Sequence, residues 1–143
     1  MVPATWANAR LRCRLEGGVL ASPTSNALTK EMLTMMAAHD LIWKTVFTGI
    51  NALVSKGDFM TIDGIPLTNI TLEWADGEPN NVDNAEDCLA LTGAGALADV
   101  RCGSVLPYFC RKESAKMTVN KCGTTDNGRL VRDSIDRFAT YFI

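Results

Sequence analysis

The chain has 143 residues, 47 % of them hydrophobic, and a formal net charge of −2, which is typical of one globular domain with a substantial core. The mild acidity and the lack of a concentrated basic face argue against a nucleic-acid partner. No apolar stretch has the length of a membrane span, and the residues after Met1 lack the charged start and apolar core of a signal peptide.

The first third of the sequence predicts two helices. Thr5 is placed to cap a helix from 6 to about 16, which a Gly-Gly pair ends. A second helix is expected to start at 25–26 and to end near His39. Its apolar residues fall at helical spacing and are expected in the core, namely Leu28, Met32, Met35 and Met36. His39 is expected to cap the helix or lie exposed, since no Ser, Cys or Asp pattern marks it as catalytic.

From Trp43 onward the pattern changes to short strands separated by turns. The predicted strands lie around 46–50, 59–62, 88–91, 99–102 and 106–110. Helices first and strands afterwards indicate an α+β domain. The last stretch differs, because 114–127 is polar and linker-like. Residues 129–143 can form an amphipathic helix, dock on the domain or stay disordered.

A long polar loop is predicted between the strands, over 66–87, and loops of this length are usually functional. Its part from 73 to 87 carries six acids and neither Lys nor Arg. Crowded carboxylates repel one another unless a cation relieves them, and nearby Asn amides add neutral oxygens of the kind that Ca²⁺ accepts. Composition alone also fits a solvated acidic loop, so both interpretations stay open at this point.

Five cysteines and one histidine limit the metal and redox chemistry of the chain. None of the cysteines forms a Cys-x-x-Cys pair, which makes a zinc site a weak interpretation. Two disulfides and one odd thiol account for the set better, and they imply an oxidising compartment.

Several short motifs follow one another along the chain. They are Trp6-Ala7-x-Ala9-Arg10 before Cys13, Phe47-Thr48-Gly49-Ile50, Asp63-Gly64-x-Pro66-Leu67, Gly77-Glu78-Pro79-Asn80-Asn81, Glu86-Asp87-Cys88 and Tyr108-Phe109-Cys110. From Thr5 to about Lys112 the pattern resembles the C-type lectin-like domain, and its wording is similar to secreted insect lectins of the immulectin kind. The resemblance implies an α+β fold over 1–112, with two helices, short antiparallel sheets and a long ligand-binding loop, followed by a linker and tail over 113–143.

The resemblance also implies how the cysteines pair. Cys13 is expected to bond Cys110, and Cys88 to bond Cys102. Cys122 is left over as a free or intermolecular thiol that offers a route to oligomers, as does the tail. Cys122-Gly123-Thr124 resembles the opening of a second lectin domain, and the family's first strand is expected to be missing before Thr5.

In the resembled family, a calcium ion on the long loop bonds two vicinal sugar hydroxyls. Carried over by position, the expected calcium and sugar ligands are Glu78, Asn80, Glu86 and Asp99. The peptide before Pro79 is expected to be cis. Glu-Pro-Asn resembles mannose-type specificity, which covers mannose, fucose, glucose and N-acetylglucosamine.

One expected ligand is absent. The family has Trp-Asn-Asp where this chain has Leu97-Ala98-Asp99, so Ala98 removes one calcium oxygen and one donor to the sugar. We expect this to weaken the binding of both. A second family calcium site is expected to be absent as well, since 51–56 holds no acid and Asp87 alone is a poor remnant.

These observations predict a secreted, extracellular module that binds glycans with calcium in insect innate immunity. Its partners would be microbial surface polysaccharides or glycoproteins. The alternative is a lectin-like domain without calcium or sugar binding that contacts a protein or is inactive. No nucleophile–base pair predicts an enzyme. Asn69-Ile70-Thr71 matches the glycosylation sequon.

Overall fold

The computed structural model describes residues 2–112 of the chain. Over that range the chain forms two α-helices and five β-strands, joined by irregular segments and two short 3₁₀ turns. The helices are α1 (Trp6–Leu15) and α2 (Asn26–Ala38). The strands are β1 (Val19–Leu20), β2 (Thr45–Asn51), β3 (Cys88–Thr92), β4 (Leu97–Val100) and β5 (Cys110–Arg111). The α+β class predicted from the sequence is confirmed.

Both helices begin at the predicted caps. The Thr5 hydroxyl accepts the backbone N–H of Asn8 at 3.4 Å, and the Ser25 hydroxyl accepts that of Leu28 at 3.2 Å. Such side-chain caps satisfy backbone donors that the first turn of a helix leaves free. Of the four residues expected in the core, Met32 and Met36 are fully buried on α2, whereas Leu28 and Met35 are only partly buried.

A three-stranded antiparallel sheet, in the order β2-β3-β4, lies at the centre of the domain. Strand β3 is its middle strand, and a register irregularity in β2 lies between Phe47 and Asn51. Gly49 sits in this part of β2, where an added Cβ would lie 2.7 Å from the Ser22 hydroxyl. A side chain there would therefore push the β2 backbone away from the segment that follows β1.

The strand predictions are less accurate than the helix predictions. Residues 59–62 form no strand, and Met60 makes only isolated bridges to Asn51 and Pro66. Strand β4 begins two residues before the predicted start, and the predicted strand over 106–110 is reduced to bridges and the short β5, which pairs with β1. At the N-terminus, Ala4 forms a single antiparallel bridge to Leu106.

Two disulfides fasten the domain, with the pairing that the resemblance implied. Cys13–Cys110 joins α1 to β5 across 97 residues, and Cys88–Cys102 joins the start of β3 to the segment after β4. Around them pack Trp6, Phe47 and Tyr108, all nearly or fully buried. The predictions for Cys122, the tail helix and the 113–143 linker lie outside the described residues. Within 2–112, no helix combines the length and hydropathy needed to cross a bilayer.

Candidate functional site

The long loop lies between β2 and β3 in the chain. Its outgoing limb bonds to β4, and its return limb leads into β3. On its outgoing limb, the N–H of Ala75 donates to the Leu97 carbonyl at 2.8 Å, and the N–H of Leu97 donates to the Glu73 carbonyl at 2.9 Å. On its return limb, the N–H of Ala52 donates to the Asp87 carbonyl at 2.8 Å. Backbone bonds therefore fix both ends of the acidic stretch, and residues 76–86 project between them.

Asp99 fastens the middle of the loop to β4. Its carboxylate is only 2 % exposed and accepts two backbone N–H bonds, from Asn80 at 3.1 Å and from Asn81 at 2.8 Å. A buried carboxylate needs such partners, since an unpaired buried charge is very costly. The predicted ligand Asp99 thus holds the loop in place, with lone pairs remaining for a further partner.

Glu78 and Asn80 come together on the loop surface. The Glu78–Pro79 peptide is cis, as the resemblance implied, and the Asn80 amide donates a short hydrogen bond to the Glu78 carboxylate. Glu78 is half-buried and Asn80 is exposed. The two side chains expected to flank a bound sugar are therefore neighbours, and at least one of them faces solvent.

Glu86 closes the opposite side of the same loop. Its carboxylate accepts the N–H of Val82 at 2.9 Å, while its own N–H donates to the Asn81 side-chain oxygen at 3.2 Å. The amide of Asn81 also donates to the Asn84 side-chain oxygen at 2.9 Å. Asn81 therefore connects Glu86, Asn84 and Asp99, although the sequence motif marked it only as part of Gly-Glu-Pro-Asn-Asn.

The three predicted carboxylates influence one another. Partial burial raises the pKa of Glu78 above its ordinary value, and contact and repulsion from Asp99 and then repulsion from Glu86 act in the same direction. A backbone hydrogen bond that also involves Asp99 acts the other way. Neighbouring carboxylates that repel each other in this manner are stabilised by a cation placed between them.

The donor set fits a hard cation by its chemistry, although it is not a closed cage. Glu78, Glu86 and Asp99 offer carboxylate oxygens and Asn80 an amide oxygen, which are ligands of the type that Ca²⁺ takes. Within residues 2–112, however, no three His, Cys, Asp or Glu side chains are arranged tightly enough to enclose one metal ion. The carboxylates of Asp99 and Glu86 point instead at backbone N–H groups.

A cleft of about 260 Å³ lies beside these residues. Its walls include three of the predicted ligands together with Lys56 and Phe59 from the segment after β2, and the full lining is Lys56, Gly57, Phe59, Pro79, Asn80, Asn81, Glu86, Asp87 and Asp99. The amino group of Lys56 bonds the Asp87 carboxylate at 2.7 Å. Sequence reasoning missed Lys56, because its segment carries no motif and lies far from the loop in the chain.

A larger groove of about 930 Å³ lies elsewhere, at the start of β2. It is mostly apolar, with Trp43, which is 89 % exposed, together with Ile42 and Val105. None of the predicted ligands lines it, and its only charged residue is Lys44. Asn69 also lies apart from the cleft lining, at the exposed end of a 3₁₀ turn over Leu67–Asn69, where its glycosylation stays a prediction.

Comparison with known proteins identifies relatives for nearly all of the described residues. The family model for the lectin C-type domain matches residues 2–112. Collectin-11 of Bos taurus is 32 % identical over 105 residues, which is 73 % of this chain and 38 % of the relative. The hemolymph lipopolysaccharide-binding protein of Periplaneta americana is 32 % identical over 121 residues, which is 78 % of this chain and 46 % of the relative.

The chain spans less than half the length of these two curated relatives. Among solved structures, the carbohydrate-recognition domain of cow CD23, determined in the presence of a GlcNAc2Man3 oligosaccharide, superposes with a TM-score of 0.64 at 28 % identity. That match covers 76 % of this chain and 79 % of the other.

The role of Asp99 can be tested without calcium. In Asp99→Asn an amide N–H₂ replaces one of the two accepting oxygens, so one backbone N–H of the loop loses its partner. We expect the free energy of unfolding, measured by urea titration in chelator, to fall by about 1–3 kcal/mol. Amide exchange at Asn80 and Asn81 should also accelerate. The control is Asp83→Asn, an exposed carboxylate whose loss should change stability by less than about 0.5 kcal/mol. Equal stability of both variants would contradict the role assigned to Asp99.

Proposed function

The chain belongs to the C-type lectin domain family, and from that premise we propose that loop residues 78–86, together with Asp99 on β4, form a calcium-dependent binding site for mannose-type sugars. The family binds carbohydrates and is not enzymatic, which confirms that this chain was correctly predicted not to be an enzyme. One observation supports the proposal: Asp99 accepts the N–H of Asn80, and burial together with the neighbouring carboxylates of Asp99 and Glu86 raises the pKa of Glu78.

Four residues would hold the ion, Glu78, Asn80, Glu86 and Asp99. When bound, the ion supplies coordination positions for two neighbouring sugar hydroxyls. The protein side chains supply the rest of the recognition. Carboxylates accept hydrogen bonds from sugar O–H groups, and the Asn80 amide can donate N–H while its oxygen faces the ion. The Asn80 amide carries two N–H donors, so one can stay bonded to Glu78 while the other donates to a sugar hydroxyl.

Two similarities support the sugar class. The chain carries Glu78-Pro79-Asn80, the wording of mannose-type sites, and the similar cow CD23 domain was determined in the presence of a mannose-containing oligosaccharide. The cockroach relative is named for binding lipopolysaccharide, which is a microbial surface glycan. We therefore propose microbial surface polysaccharide or glycoprotein as the partner and innate immune recognition as the setting. Secretion is proposed with it, and the two disulfides suit an oxidising compartment.

Affinity should be modest because of Ala98. This residue is half-buried on β4, directly before Asp99, and its methyl group offers no oxygen or N–H. Extracellular calcium sites already reach dissociation constants of about 10⁻⁴–10⁻³ M. Multivalent display on a glycan surface can offset weak single-site binding, because a second contact forms at high effective concentration.

A second candidate function is favoured by the groove at the start of β2. Trp43 lies there with 89 % of its surface exposed beside Ile42 and Val105, and exposed apolar surface of this kind often marks protein contacts. On that account the domain would contact a protein and would have lost calcium chemistry, as Ala98 suggests.

Capture on a mannan column separates the two candidates. We expect the full chain to bind mannan in millimolar calcium, to elute with chelator, and to be displaced by mannose or N-acetylglucosamine but not by galactose. Glu86→Ala should abolish capture because a ligand carboxylate is lost, whereas Glu31→Ala, which removes an exposed acid on α2, should leave it unchanged. Wild-type protein that ignores mannan in calcium would favour the second candidate.

The role of Ala98 gives a gain-of-function prediction. Ala98→Asn restores one amide at the site, and a hydrogen bond contributes about 0.5–1.5 kcal/mol net. We expect calorimetric titration to show tighter binding of mannose in calcium by about two- to tenfold. The matched variant Ala94→Asn, on the exposed turn between β3 and β4, should bind like wild type. Tight wild-type binding that Ala98→Asn leaves unchanged would contradict the expected weakening.

A further inference from the structure

The return limb of the loop contains a turn with left-handed backbone. Asn81, Asp83 and Asn84 have φ values of 42°, 55° and 55°, in a region that Asn and Asp adopt more readily than other residues with a Cβ. Such conformations persist only where surrounding contacts hold them. The contacts made by Asn84 show which distant residue bonds to this turn.

Lys56 fastens this turn from a distant part of the chain. Its amino group donates to the Asn84 carbonyl at 2.7 Å and to the Asp87 carboxylate at 2.7 Å, across 28 and 31 residues of sequence. The Lys56 side chain is 45 % exposed and that of Asp87 is 25 % exposed. An ammonium group thus bridges a carbonyl oxygen and a carboxylate oxygen, which are ligands that a bound cation would also take.

The contacts of Lys56 continue to the candidate ligands. Asn84 accepts the side-chain amide of Asn81 at 2.9 Å. Asn81 in turn donates its N–H to Asp99 and accepts the N–H of Glu86. Hydrogen-bonded residues therefore lead from the Lys56 ammonium, through Asn84 and Asn81, to the carboxylate of Asp99 and the backbone N–H of Glu86. Releasing Lys56 would free the turn that leads into Glu86, while Asp99 stays fixed on β4.

Lys56 also changes the charge of the loop. The stretch from 73 to 87 has six acids and no basic residue of its own, so its positive charges come from elsewhere in the fold. Among residues 2–112, two ion pairs supply them, Lys56 with Asp87 and Arg101 with Asp83. The Arg101 pair is largely exposed, with the Asp83 side chain 77 % accessible, and exposed pairs contribute little.

We propose that Lys56 is a positioning residue that serves as a built-in cation, holding residues 81–87 in the binding arrangement before calcium arrives. This inference rests on the proposed calcium site and names how that site is kept in shape. It follows that the loop is ordered in chelator and that one calcium ion completes it.

The direction in which calcium affinity changes when the Lys56 charge is removed distinguishes positioning from simple electrostatics. A positive charge beside a calcium site repels the ion, so its removal alone would tighten calcium binding. Loss of positioning does the opposite, because the ligands must then be ordered at the cost of binding free energy. Substitutions of residues that orient metal ligands typically lower metal affinity by about tenfold or more.

The test compares three full-length variants with wild type. Lys56→Met keeps the length of the side chain without its charge, and we expect it to weaken calcium binding about tenfold by calorimetry. Amide exchange over 80–87 in chelator should accelerate, while exchange over β3 stays unchanged. Lys56→Arg should keep most of the calcium affinity and most of the slow exchange. A guanidinium can donate to both the Asn84 carbonyl and the Asp87 carboxylate. Lys30→Met, an exposed lysine on α2, should match wild type.

Calcium binding to Lys56→Met that is as tight as wild type, or tighter, would overturn the proposal. So would unchanged exchange over 80–87 in chelator. If wild type itself binds no calcium, the proposed function fails while the exchange measurement still decides the role of Lys56. Faster loop exchange in Lys56→Met then supports the anchoring, and equal exchange refutes it.

Discussion

The carboxylate of Asp99 is the contact on which the arrangement of the loop depends. It is buried at the edge of the central sheet and accepts the N–H groups of Asn80 and Asn81. Because these two residues stand next to each other in the loop, one carboxylate fixes both its position and its direction. Glu78 and Glu86 are then carried to the same edge of the fold on either side of Asn80.

This arrangement places several negative charges close together, and a nearby cation would stabilise them. Partial burial, and after it the neighbouring Asp99 and Glu86, raise the pKa of Glu78. On the return limb, Lys56 neutralises part of this negative charge by pairing with Asp87. Of the remaining carboxylates, Glu86 and Asp99 line the cleft, where the proposed cation and sugar hydroxyls would be their further partners. The proposed function of the loop thus follows from where its acids are placed and how each is neutralised.

The sequence predicted the parts of this molecule that depend on local patterns. Thr5 and Ser25 cap the two helices because each hydroxyl stands just before a helical run and accepts a free backbone N–H of its first turn. The disulfide pairing came from the resemblance alone, since spacing leaves several pairings open. Residues 59–62 were wrongly predicted as a strand: their aromatic and β-branched residues favour one, but Met60 makes only isolated bridges.

The parts that the sequence did not predict depend on long-range contacts. The motif placed Asp99 among the ligands, yet nothing in it shows that the carboxylate also holds the loop by two backbone bonds. Lys56 carries no motif and lies 31 residues before its partner Asp87, so only the fold brings them together. Asn81 stood in the recognised motif without a role, and its hydrogen bonds to Asn84, Glu86 and Asp99 give it one.

A crystal structure of the full chain with calcium and mannose tests the central claim most directly. The account predicts one ion bonded by oxygens of Glu78, Asn80, Glu86 and Asp99 at about 2.3–2.6 Å, with two neighbouring sugar hydroxyls on the same ion. It also predicts that Asp99 keeps its bonds to the loop backbone. A sugar bound elsewhere, or an ion held without Glu78 and Asn80, would contradict it.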